Sequence, residues 1–167
     1  VPAKKPVLLC VDDDIQCLEV RRLLLEAFGF NVVSSTNPTD GLRLYRRKRF
    51  DAAIIDFQMP EMDGAELAKK MKDSRGDVPV VIMSGLPELP EGTPVFHDRF
   101  FCKTISGKQL AEEIQALIAA RTADSARETV GLRRGLLSAT GVAVGIVAES
   151  ISDRVRPMLG IKSVAHV

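Results

Sequence analysis

Five polar positions stand at the ends of short apolar runs: Asp12 and Asp13 after VLLCV, Asp56 closing AAIID, Ser84 after PVVIM, and Lys103 closing RFFCK. Three carboxylates gathered in one crevice repel one another, so the ionised cluster needs a cation. Oxygen ligands alone favour a hard ion, Mg²⁺ above Zn²⁺. A lysine beside them neutralises remaining charge, and a serine hydroxyl can donate to an anion at the centre. The set suits a phosphoryl group bridged by Mg²⁺. Asp56, in the middle, is the nucleophile candidate because a carboxylate can form an acyl phosphate. Gly85 next to Ser84 leaves room for the incoming group.

These positions meet only if the strands are parallel, since ligands of open α/β sheets bind beyond the carboxyl ends of the strands. The chain supports that arrangement by alternating β-rich runs with amphipathic stretches from Val7 onward, the pattern of repeated βαβ units. After VLLCV, the residues Cys17, Val20, Leu24 and Phe28 predict the buried stripe of a first helix, which Gly29 ends. NVVSS follows, then Asn37 as N-cap with Pro38 in the first helical position and Asp40 in the first turn. Leu42 and Tyr45 lie on that second helix, and Leu67, Ala68 and Met71 on the third, which stops near Gly76. Ser106 and Gln109 have capping-box spacing ahead of Leu110, Ile114, Leu117 and Ile118, in a helix expected to end near Arg121. Between PVVIM and RFFCK, the proline- and glycine-containing GLPELPEGTPVFHDR opposes a long helix, so the fourth helix is expected to be short or irregular.

The matching stretches VDDD, DFQMPEMDG, MSG and FFCK together resemble the receiver domain of bacterial two-component response regulators, of the chemotaxis-regulator type. The resemblance covers residues 4–121. It implies a flavodoxin-like, doubly wound five-stranded parallel sheet of order 2-1-3-4-5. It further implies that Asp56 accepts a phosphoryl group from a sensor histidine kinase or phosphotransfer protein. Asp13, Asp56 and the Gln58 backbone carbonyl would hold Mg²⁺, with Asp12 reaching it through water. Ser84 would bind the phosphoryl oxygen, and Phe100 matches the aromatic that changes rotamer as Ser84 moves. Such a domain is a signalling module rather than an enzyme, acting through phosphorylation-dependent contact with a downstream protein, and a homodimer is open to it.

Two departures stand out. Thr104 follows Lys103 where the family usually has proline, so a trans bond is expected there. Only 18 residues (85–102) separate Ser84 from Lys103, a little short for the family. Two rival readings remain. A pseudo-receiver would bind or dimerise without phosphorylation. A haloacid-dehalogenase-like phosphatase would use Asp12, Asp14, Ser84 and Lys103, and would have no need of Asp56.

The totals add little that is specific. A formal net charge of +1 gives no overall field for nucleic acid, and Tyr45–Arg49 reads as a solvated helix end. Cys10, Cys17 and Cys102 lack CxxC spacing and read as reduced, mostly buried thiols of a cytoplasmic chain without a signal peptide. His97 and His166 have no ligand spacing. Residues 122–134 read as a linker, and 135–167 as a C-terminal tail whose apolar run, Gly135 to Ala148, is shorter than a membrane span of about 20 residues. Gly141 and Gly145 have GxxxG spacing. A partner-bound or loosely ordered helical tail ranks first, self-association second and membrane contact third.

Overall fold

The structure, a computed structural model of the 167-residue chain, describes residues 4–127. Strands β1 (Val7–Val11), β2 (Asn31–Ser35), β3 (Ala52–Asp56), β4 (Val80–Ser84) and β5 (Arg99–Cys102) form one parallel sheet in the order β2-β1-β3-β4-β5. Helices α1 (Ile15–Ala27), α2 (Pro38–Arg47), α3 (Gly64–Ser74) and α4 (residues 107–127) complete the described elements. This is the flavodoxin-like arrangement expected from the sequence.

Side chains alternate across a strand, so a sheet covered on both faces needs apolar residues at every position. Leu9, Val11, Ala53, Ile55, Val80 and Ile82 point into one core with Leu42 and Tyr45 of α2 and Leu67, Ala68 and Met71 of α3. Leu8, Cys10, Ala52, Ile54, Val81 and Met83 point into the other, with Leu18 and Leu25 of α1 and Leu110, Ala111 and Ile114 of α4. Burial pushes the Cys10 thiol up to about 12, as befits a core hydrophobe. Cys102, by contrast, is only half-buried.

The caps follow the sequence closely. Asn37 Oδ1 accepts from the Asp40 amide (3.0 Å) with Pro38 in the first turn. The Ser106 hydroxyl accepts from the Gln109 amide (3.2 Å) and donates to Gln109 Oε1 (2.9 Å). Gly29, at φ +92°, takes the left-handed conformation that ends α1.

The phase of α1 differs from expectation. Its buried residues are Leu18, Arg21 and Leu25, whereas Val20 is 64% exposed and Phe28 is exposed as well. Apolar residues occupy two adjacent stripes of this helix, and the stripe facing the sheet is the one interrupted by an arginine. The last helix also runs beyond the expected stop near Arg121, through residue 127, while the compact unit ends at Thr122. Residues 128–134 of the expected linker and the tail 135–167 lie outside the described residues. Among the described residues no helix is long and apolar enough to cross a membrane.

Between β4 and β5 there is no helix; an irregular strap crosses instead. Leu89 and Phe96 from it pack against the α2–α3 core, and Asp98 fastens its end to β4 by accepting from the Val80 amide (2.7 Å) and to α3 by pairing with Lys72 (2.6 Å). His97 lies here with Nδ1 buried and without a hydrogen-bond partner among the described residues. Burial lowers its imidazole below the ordinary value, against the opposing pull of Asp98. A histidine with a depressed folded-state pKa contributes stability that is present above about pH 6.5 and lost as the pH falls. Urea unfolding from about pH 7.5 to about pH 5 should therefore show the native chain losing more stability than His97→Gln; parallel curves would remove His97 as the cause.

Candidate functional site

Register brings the polar residues to one rim. Val11 pairs with Ile55, so Asp12 emerges level with Asp56, and Asp56 itself pairs with Met83, one residue before Ser84. Ser84 pairs with Cys102, and the Lys103 amide donates to the Ser84 carbonyl (2.7 Å), which sets Lys103 at the same level. The Lys103–Thr104 peptide is trans, as expected without proline. The chain then turns, with the Ile105 amide donating to the Cys102 carbonyl (3.0 Å).

The turn after β3 is held close by Gly64, whose amide donates to the Phe57 carbonyl (2.8 Å). A Cβ at Gly64 would collide with the Asp56 carbonyl oxygen and lie 2.8 Å from Phe57 Cα, both backbone atoms that cannot swing aside. Within this turn Glu61 takes φ 69°, and its carboxylate accepts from Asn37 Nδ2 (3.3 Å).

Asp12 is fully buried and Asp56 is 4% exposed, yet both are paired. Lys103 Nζ lies 2.8 Å from Asp56 Oδ1 and 3.1 Å from Asp12 Oδ2. Arg21 adds a second cation, Nη2 to Asp12 Oδ2 at 3.1 Å, and Asp12 Oδ1 accepts from the Asp14 amide (3.0 Å). Burial pushes the Asp56 carboxyl above its ordinary range, with the Lys103 contact working in the other direction. Burial would lower the Lys103 ammonium, but its hydrogen bonds to Asp56 and Asp12 carry it above its ordinary value. Both shifts describe a carboxylate that depends on this lysine for its charge.

Carboxylate oxygens of Asp12, Asp13 and Asp56 lie within 4.8 Å of one another. An all-oxygen trio fits a hard divalent ion. Both oxygens of Asp12 are already engaged, whereas Asp13 is exposed and buried Asp56 meets Lys103 through Oδ1, so Asp13 and Asp56 are the more available donors. Ser84 is buried, and its Oγ accepts from the Leu86 amide (3.1 Å), which leaves the hydroxyl proton to be donated elsewhere.

Residues 8–115 match the response regulator receiver domain model. The chain belongs to that family. Response regulator MprA of Mycobacterium leprae is 27% identical over 128 residues, covering 75% of this chain and 56% of MprA. This chain thus spans about half the length of such curated relatives. A CheY-like receiver domain protein from Methanospirillum hungatei JF-1 superposes with a TM-score of 0.68 at 24% identity, covering 72% of this chain and 99% of that one. The receiver domain of sensor histidine kinase PA1611 from Pseudomonas aeruginosa PAO1, which has magnesium coordinated in its active-site cleft, superposes with a TM-score of 0.62 at 18% identity, covering 70% and 99%.

In this receiver Asp12, Asp13, Asp56, Ser84 and Lys103 share the rim. Gln58 is exposed two residues beyond Asp56, and Phe100 is half-buried against the α2–α3 core, paired in register with Ile82. Asp14 stands outside the carboxylate trio and caps α1 instead, accepting from the Gln16 amide (2.8 Å) and the Cys17 amide (3.2 Å). That removes one member of the phosphatase-like set. Arg21 is the residue that sequence reading missed. The signal was present: Arg22 has Glu19 and Glu26 at helical spacing, whereas the same offsets from Arg21 hold Leu18 and Leu25, and Cys17 and Leu24 fill its other helical neighbours.

Two substitutions test the geometry. Gly64→Ala should cost about 1–3 kcal/mol in urea unfolding, because the added methyl overpacks against backbone; an unchanged midpoint would contradict the close approach. Lys103→Met leaves two buried carboxylates facing each other and should cost about 1–3 kcal/mol at neutral pH, shrinking as acid protonates them. A loss that is the same at about pH 7 and about pH 4 would mean that charge pairing is not the cause.

Proposed function

We propose that Asp56 is the phosphoacceptor of this receiver, taking its phosphoryl group from a phosphohistidine on a sensor histidine kinase or phosphotransfer protein. The observation that carries this reading is the Asp56 carboxylate at the end of β3, 2.8 Å from Lys103 and inside a trio of carboxylates. A carboxylate oxygen attacks phosphorus, the phosphorus–nitrogen bond breaks, its electron pair returns to the imidazole, and an acyl phosphate remains on Asp56. Asp13, Asp56 and the Gln58 carbonyl would hold Mg²⁺, with Asp12 reaching it through water, and the ion would supply positive charge for the incoming phosphoryl group.

The protein's own groups do the remainder. Lys103 already contacts the accepting carboxylate, and the Ser84 hydroxyl keeps a proton for an oxygen of the phosphoryl group. The new group brings about two negative charges and three acceptors, which draw Ser84 and Lys103 inward. Phe100, in register beside β4, is positioned to follow that movement and pass it to the β4–β5 side. The phosphoacceptor unit is 4–121, with 122–134, whose first six residues continue α4, as linker and 135–167 as tail. Its output is contact with another protein, in the cytoplasm, without direct reading of nucleic acid.

Intact mass after incubation with acetyl phosphate and Mg²⁺ tests the assignment. A gain of about 80 Da in the native chain, absent from Asp56→Asn and absent without Mg²⁺, is expected. A folded, Mg²⁺-binding native chain that gains nothing would favour the unphosphorylated binding module instead.

A further inference from the structure

Arg21 occupies a position that packing alone would give to leucine. It lies between Leu18 and Leu25 on the buried face of α1 and is 8% exposed. Its Nη2 reaches Asp12 Oδ2 at 3.1 Å, while Nη1 is buried without a hydrogen-bond partner among the described residues. An arginine held this way is costly, and a well-packed apolar residue of similar volume is often neutral or stabilising in its place. What it supplies is charge.

The rim's ionised carboxylates, Asp12, Asp13 and Asp56, total −3; Lys103 and Arg21 bring +2, so the net is −1, and without Arg21 it would be −2. The two cations differ in freedom. Lys103 is 28% exposed and bridges two acids on a flexible stem, whereas Arg21 is fixed in the core against one. If Lys103 turns toward a group arriving on Asp56, Asp12 keeps Arg21 and its bond from the Asp14 amide.

Building on the metal-assisted reading above, we propose that Arg21 is a resident counter-cation of the acidic rim. It supplies part of the charge that a divalent ion would otherwise supply, weakens the rim's affinity for that ion, and holds Asp12 in place when Lys103 is drawn away. Arg21 acts through Asp12 and is therefore a positioning residue.

Titration of the ¹⁵N-labelled full chain with Mg²⁺, followed by amide shifts near Asp13 and Asp56, reads the affinity without any phosphoryl donor. Arg21→Met should tighten Mg²⁺ binding about tenfold, since a unit positive charge is removed from beside the donors. Arg21→Gln should tighten it in the same direction and serves if the methionine variant fails to fold. Arg21→Lys should restore an affinity near native. A merely structural role would loosen the rim on substitution and weaken binding.

Affinity unchanged within about twofold in both neutral variants, or weakened in them, would overturn the role of Arg21 while leaving the metal reading intact. Absence of Mg²⁺ binding from the folded native chain and from the folded neutral variants alike would overturn both. Binding seen only in the neutral variants would support the proposal in its strongest form.

Discussion

The contact of Lys103 with both Asp12 and Asp56 is the interaction on which the rim depends. Two carboxylates removed from water at the end of a parallel sheet carry a desolvation cost that only opposite charge in direct contact can offset. That contact in turn requires β5 to lie beside β4 in one register, because the Lys103 amide is fixed by the Ser84 carbonyl. It also requires the turn after β3 to fold tightly against Asp56, which Gly64 permits. Sheet order, strand register and a single close-approach glycine thus converge on one ammonium group.

Much of this could be read in the sequence, for a physical reason. Strands buried on both faces appear as unbroken apolar runs, and VLLCV, AAIID and PVVIM are such runs with polar residues where each emerges from the sheet. Caps at Asn37 and Ser106 were equally legible, because a short polar side chain at a helix start has few other uses. The proline-rich strap followed from the absence of amide donors and the cost of glycine in a helix.

The face of α1 was not legible in the same way. Cys17, Val20 and Leu24 make a stripe as apolar as Leu18 and Leu25, and periodicity alone cannot say which of two adjacent stripes meets the sheet. The deciding fact is tertiary: Asp12 needs a partner, and Arg21 reaches it only if the Leu18–Leu25 face turns inward. An arginine in an apolar stripe therefore marked the core side of the helix, contrary to the ordinary rule that charge marks the outside.

The irregular strap before β5 gives the sheet a graded edge. Among the described residues β3 is buried along its whole length between two neighbouring strands, whereas β5 has four residues and one neighbouring strand, and the segment leading into it is a strap held by Leu89, Phe96 and the Asp98 clasp rather than a helix. An edge strand that is half-buried and paired on one side is the place where local opening costs least, with the buried central strands left closed. Because β5 leads into Lys103, a loosening of this outer strand would shift the ammonium while β3 and Asp56 stayed closed, at a small fraction of the cost of global unfolding.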